Sequence, residues 1–176
     1  MALAQGELRL VKGVSTMHRI LLAVDGRRES YQAALTVRDW MRRDRNLEVA
    51  ALYVTEIIFG TRFGGGPVVG MAHEREMVEE IRGQLEHEIY RGLRGRIQFV
   101  RAAGLSVADM ICRVAVSKEC DTIVLGSKAP RGLWRFLGGG VTQNVLKKAP
   151  VSVFVVRAKA ADHVRPVPLR GPHQAG

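Results

Sequence analysis

Between Gly126 and Thr142 the chain reads GSKAPRGLWRFLGGGVT, a stretch with five glycines and three cations. The residues that follow, VTQNVLKKA, have a helical pattern, so Gly139, Gly140, Val141 and Thr142 carry amides with no intrahelical partner at a helix start. Such amides, at the positive end of a helix dipole, hold anions, phosphate groups above all. Lys128, Arg131 and Arg135 add charge on the loop itself. The chemistry on offer is binding rather than turnover. No nucleophile, general base and orienting group occur together in these motifs, and the Gly-Lys-Ser/Thr of a P-loop is absent.

Charge along the chain agrees with an anionic ligand. The formal net charge is +10, and no acidic residue occurs between Thr122 and Arg157, whereas residues 73–90 carry six glutamates. Anionic partners are favoured where the cations gather. The bland alternative is a solvated basic face. A nucleic-acid partner follows from charge alone, without a motif. The two cysteines, Cys112 and Cys120, make no disulfide framework, and His18, His73, His87, His163 and His173 are scattered, so no metal site is expected. The length, 176 residues with 47% apolar and 25% charged, suits one domain, and no apolar run is long enough to span a membrane. The cytoplasm is the expected location.

These residues need elements to position them. HRILLAV (18–24) is a short apolar run ending in Asp25-Gly26, a strand that runs into a turn. RESYQAALTVRDWMRR is a helix with Ala34, Val37 and Met41 on one side, and LEVAALYV (47–54) is a second strand. EIIFGTRFGGGPVVG, broken by glycines and a proline, reads as a loop; Gly64-Gly65-Gly66 beside Arg62 lacks a strand at the spacing a phosphate loop needs. Residues 71–92 set Met77, Ile81, Leu85 and Ile89 on one ridge of an amphipathic helix. GRIQFVRA is a third strand. Ser106 caps the next helix, whose stripe is Val107, Met110, Ile111, Val114 and Ala115. DTIVLG and VSVFVV are the fourth and fifth strands. Residues 1–16 read as a flexible extension, with Met17 a native start, 17–157 as the domain, and 158–176 as a disordered tail.

Strands apolar on both faces that alternate with helices indicate an α/β fold, a parallel sheet covered on two sides. Ligands in such folds bind beyond the carboxyl ends of the strands where strand order reverses. That rule selects Ala23-Val24-Asp25 and Leu125-Gly126-Ser127.

At these residues the chain resembles the universal stress protein family over about residues 18–157: ILLAVDG, LYV, and DTIVLGS…GGGVTQNVLKKAPVSVFVVR. The resemblance implies a single-domain, three-layer fold with a five-stranded parallel sheet in the order 3-2-1-4-5, and a homodimer through the last strand, Val151–Val156. It also implies that ATP or a related adenine nucleotide, with Mg2+, is bound as a stress signal. Asp25 would hold the adenosine moiety and the backbone of Val54 would line the adenine.

ATP-binding members of that family carry a glycine, two residues, a glycine, nine residues, then glycine and serine or threonine. Gly126 and Gly139 match; the second glycine is Ala129 and the final position is Gly140. Ala129 precedes Pro130, which favours extended geometry and a different loop path. At Gly140 the amide stays but a hydroxyl is lost, and a hydrogen bond to a charged group is worth about 1.5–3 kcal/mol. The helix-start amides and the loop cations oppose that loss. Trp134 and Phe136 between basic residues pin the loop or stack on a base. Three readings stand open: a nucleotide-binding regulator without turnover beyond a weak ATPase, a dimeric stress protein that acts through protein contacts alone, and an adenylate-handling enzyme.

Overall fold

The computed structural model describes residues 18–59, 67–68, 71–127 and 140–157. The expected loop residues Lys128, Ala129, Pro130, Arg131, Trp134, Arg135, Phe136 and Gly139 lie outside them, as do Gly64-Gly65-Gly66 and both termini.

Strand β1 (Arg19–Ala23) is central because Ile20, Leu21 and Leu22 are apolar whichever face they point to, and all three are fully buried. It pairs in parallel with β2 (Glu48–Glu56) on one side and β6 (Thr122–Ser127) on the other. β5 (Ile97–Gly104) extends the sheet beyond β2, and β7 (Ser152–Arg157) closes the edge beyond β6. The order β5-β2-β1-β6-β7 places the five strands third, second, first, fourth and fifth, as expected.

The period of two along β1 sends Ile20 and Leu22 into one core and Leu21 into another. On the first face lie α1 (Arg28–Arg43) and α2 (Met71–Gly83), which contribute Tyr31, Val37, Met41, Val78 and Ile81. On the second face lie α3 (Val107–Ser117) and α4 (Val141–Lys148), which contribute Ile111, Val114, Ala115 and Val145. Helix ends are tied by named groups. Asp109 N donates to the Ser106 hydroxyl at 3.3 Å, the expected cap of α3. The Arg96 guanidinium donates to the carbonyls of Met41 and Asp44, both at 2.8 Å, and so satisfies the C-terminus of α1.

Two details differ from the sequence reading. The segment read as a loop after β2 contains a small antiparallel pair, β3 (Ile58–Phe59) with β4 (Pro67–Val68), in the register Ile58↔Val68 and Phe59↔Pro67. Two-residue strands are too short to show alternation. The long helix also widens into a π segment at Gln84–Ile89, where Tyr90 N donates to the carbonyl of Leu85 at 2.8 Å. The ridge Met77, Ile81, Leu85, Ile89 steps by four, which overshoots a 3.6-residue turn. The wider turn absorbs that drift and keeps Leu85 and Ile89 buried.

Two buried tyrosines in this layer give a contrasting prediction. Tyr90 donates to the carbonyl of Ala34 at 3.0 Å, whereas the Tyr31 hydroxyl finds no partner among the described residues. Burial raises the pKa of both. Urea unfolding of Tyr90→Phe is expected to show a loss of about 1 kcal/mol, and Tyr31→Phe a change near zero or a small gain. Equal losses in the two variants would contradict this assignment.

Candidate functional site

The neighbours of β1 lie on opposite sides of it and are reached by connections in opposite directions, so a crevice opens at the carboxyl ends of β1 and β6. A cleft of about 850 Å3 lies there. Ala23, Val24 and Asp25 line it from the end of β1, Val54 from β2, and Leu125, Gly126 and Ser127 from β6. Gly140, Val141 and Thr142 line it from the start of α4. The ten anticipated residues that are described thus border one space. Lys128, Arg131 and Gly139 cannot be placed in it, because they lie outside the described residues.

The start of α4 presents its amides without a side-chain cap. Gly140 is extended at φ −74° and ψ 161°, and the first intrahelical bond runs from Asn144 N to Gly140 O at 3.1 Å. The amides of Val141, Thr142 and Gln143 precede that bond, and the first turn contains no acidic residue. The far end of α4 is anchored: Lys148 Nζ donates to Asp109 Oδ1 at 2.6 Å and holds that carboxyl below its usual pKa.

Asp25 sits in a tight turn made by Gly26, whose φ of 73° is the left-handed conformation glycine adopts freely. Its Oδ1 accepts from Arg27 N at 3.0 Å, and its Oδ2 lies 3.6 Å from Arg27 Nε. The carboxylate is about half exposed, with lone pairs left for a ligand hydroxyl.

Gly126 has a packing reason to be glycine. A Cβ there would lie 2.1 Å from the carbonyl oxygen of Glu29 and 2.6 Å from the amide nitrogen of Ser30. The end of β6 therefore runs directly against the first turn of α1, and Glu29 and Ser30 enter the cleft wall.

Sequence reasoning missed several groups in the cleft. Arg27 and Arg157 bring positive charge, Glu29 and Glu56 negative charge, and Met77 and Leu146 apolar surface. Arg157 lies opposite Ser127 in the β6–β7 register. Tyr53 also lines the cleft; burial first, and then Glu74, push its hydroxyl pKa up to about 12. Glu74 accepts from the Thr55 hydroxyl at 2.6 Å and so ties the start of α2 to the end of β2. Both cysteines act as packing groups: burial raises the Cys112 thiol pKa and pushes that of Cys120 up to about 11, the reverse of what a nucleophile needs. Among the described residues no group of three His, Cys, Asp or Glu side chains could hold a metal ion, and no helix is long and apolar enough to cross a membrane.

These elements define a doubly wound α/β domain with a crevice at the topological switch point of its sheet, the place where ligands of such folds bind. A sequence model of the universal stress protein family matches residues 16–157, and the chain belongs to that family. It is 27% identical over 156 residues to a universal stress protein of Methanocaldococcus jannaschii, covering 82% of this chain and 85% of that one. A second universal stress protein of the same organism is 27% identical over 105 residues, with 52% of this chain and 65% of its own length covered. Among solved structures, a Burkholderia pseudomallei protein of the family superposes with a TM-score of 0.61 at 19% identity, covering 82% of this chain and 98% of that one. A universal stress protein in complex with cAMP superposes at 0.59 and 15% identity, covering 81% and 98%. One from Archaeoglobus fulgidus in complex with dAMP superposes at 0.54 and 18%, covering 80% and 97%.

Proposed function

We propose that this protein is a cytoplasmic, non-catalytic regulator of the stress response that binds ATP or another adenine nucleotide in the cleft between β1, β6 and α4. The observation that carries the reading is convergence: the first-turn amides of α4, which have no intrahelical partner, the Asp25 turn and the apolar wall around Val54 and Ile111 all border one space. The helix start takes the phosphate, Asp25 the sugar end of the adenosine, and the apolar wall with the Val54 backbone takes the base. Lys128, Arg131 and Gly139 complete the phosphate end, with Mg2+ shielding a polyphosphate. The cAMP and dAMP complexes of family members support an adenine nucleotide as the ligand class.

A second copy pairs along β7. Among the described residues that strand is the edge of the sheet, and Phe154, 46% exposed, stacks edge-on against Trp40 with ring centroids 4.8 Å apart, which sets an aromatic surface beside the strand edge. Light scattering is expected to give a dimer; a monomer would remove this contact.

Isothermal titration with ATP, ADP and AMP at low and moderate salt tests the ligand. Binding tighter than about 1 mM at low salt, weakened by added salt, is the expected result. Weaker binding of all three would leave only the reading in which the protein acts through protein contacts.

A further inference from the structure

We infer that Ser30 is a positioning residue of the cleft: its hydroxyl holds the Asp25 turn so that the carboxylate faces a bound nucleoside. The nucleotide reading above supplies the ligand in this inference, and the geometry of the turn supplies the rest. Ser30, a buried polar residue at 5% exposure, lies in the cleft wall. Its single hydroxyl hydrogen is donated to the carbonyl of Arg27 at 2.9 Å. That leaves the oxygen lone pairs for the amide of Asp25, which donates to it at 3.4 Å.

The need for such a contact is visible in the helix start. Arg27 occupies the N-cap position of α1 and offers no side-chain cap. Ser30, three residues into the helix, reaches back to the chain ahead of it, as the inner partner of a capping box does. Gly126 lets β6 press against the backbone at Glu29 and Ser30, which fixes where the hydroxyl sits. Upstream, Val24 N donates to the carbonyl of Leu52 at 2.9 Å, so the chain is held up to residue 24. Between these two anchors, the position of Asp25 depends on the Ser30 oxygen and on the Asp25–Arg27 contacts. Removing that oxygen frees one turn and leaves the strand and helix bonds in place.

A double-mutant cycle tests the inference with Ser30→Ala, Asp25→Ala and the double variant, measuring AMP affinity by calorimetry and amide exchange at Asp25 and Arg27 by NMR. Ser30→Ala is expected to weaken AMP binding about fivefold, to cause no further loss when Asp25 is already alanine, and to speed exchange at Asp25 about tenfold. Ser30→Thr, which keeps the oxygen, retains both properties and serves if the alanine variant does not fold. A merely structural serine would lower Tm but leave AMP affinity at the wild-type value, and that result overturns the inference. So does the same affinity loss on both backgrounds. If the wild type takes up no AMP, the nucleotide reading falls and exchange alone decides: faster exchange at Asp25 in Ser30→Ala supports the positioning role, and unchanged exchange refutes it.

Discussion

Gly126→Ala is expected to lower Tm by roughly 6–12 °C, the counterpart of about 3 kcal/mol in a domain of this size. The added methyl would fall 2.1 Å from the carbonyl oxygen of Glu29 and 2.2 Å from its carbon. Both are backbone atoms of a helix held in the core through the fully buried Tyr31 and Ala34, so neither can step aside without moving α1. The control is Gly104→Ala. There the new carbon meets the terminal methyl of Met110 at 2.7 Å, the far end of a flexible side chain that can turn away, and its Cβ at an ordinary 3.8 Å. Its cost should stay within about 1 kcal/mol. Nucleotide affinity should fall with Gly126→Ala by more than about tenfold, because the displaced turn carries Arg27 and Ser30, the two residues that hold Asp25. Differential scanning calorimetry and titration of both variants check these outcomes, and equal melting temperatures for the two would contradict the packing account.

Substitutions at Gly140 are expected to separate stability from binding. The residue is exposed, its φ of −74° is one that any residue adopts, and it stands at an N-cap position with no side-chain cap. Serine or aspartate there should each stabilise the protein slightly, by a few tenths of a kcal/mol. Their effects on ligand differ in sign. Serine adds a hydroxyl that can donate to a phosphate oxygen and is expected to tighten nucleotide binding at least about tenfold. Aspartate places a carboxylate where the phosphate would sit. Two like charges about 4 Å apart repel by about 4 kcal/mol at an effective dielectric near 20, so affinity should drop by at least about a hundredfold. Thermal unfolding together with ATP titration of the two variants reads both properties. Binding that fails to distinguish serine from aspartate would place the anion elsewhere.

Much of the architecture is legible in the residues because it depends on local period and punctuation. Helix α1 reads correctly from Arg28 to Arg43, since Ala34, Val37 and Met41 repeat at helical spacing and a turn pair precedes them. Four of the five strands of the main sheet are plain as short apolar runs and the third, GRIQFVRA, as an alternating one, and their order follows from the resemblance of the first and last blocks to the family. The missing details depend on distance or on short segments. The β3–β4 pair has only two residues a side, and the π widening at Gln84–Ile89 leaves the apolar ridge looking like an ordinary helix.

The cleft divides along the same line. Its strand ends follow from the topological rule and its helix start from the glycines ahead of a helical pattern, so Asp25, Gly126 and Gly140 could be named in advance. Arg27, Ser30 and Arg157 could not. Ser30 reaches the cleft through the close approach of β6 to α1, and Arg157 through pairing with Ser127, neither of which leaves a periodic mark.

The central claim is that the amino end of α4 receives a phosphate. Amide NMR of the labelled protein, titrated with AMP and separately with adenosine, tests it most directly. Saturable shifts of the Val141 and Thr142 amides with AMP, absent with adenosine while Asp25 responds to both, are the result predicted. AMP shifts that bypass Val141 and Thr142, or identical shifts from adenosine, would contradict it.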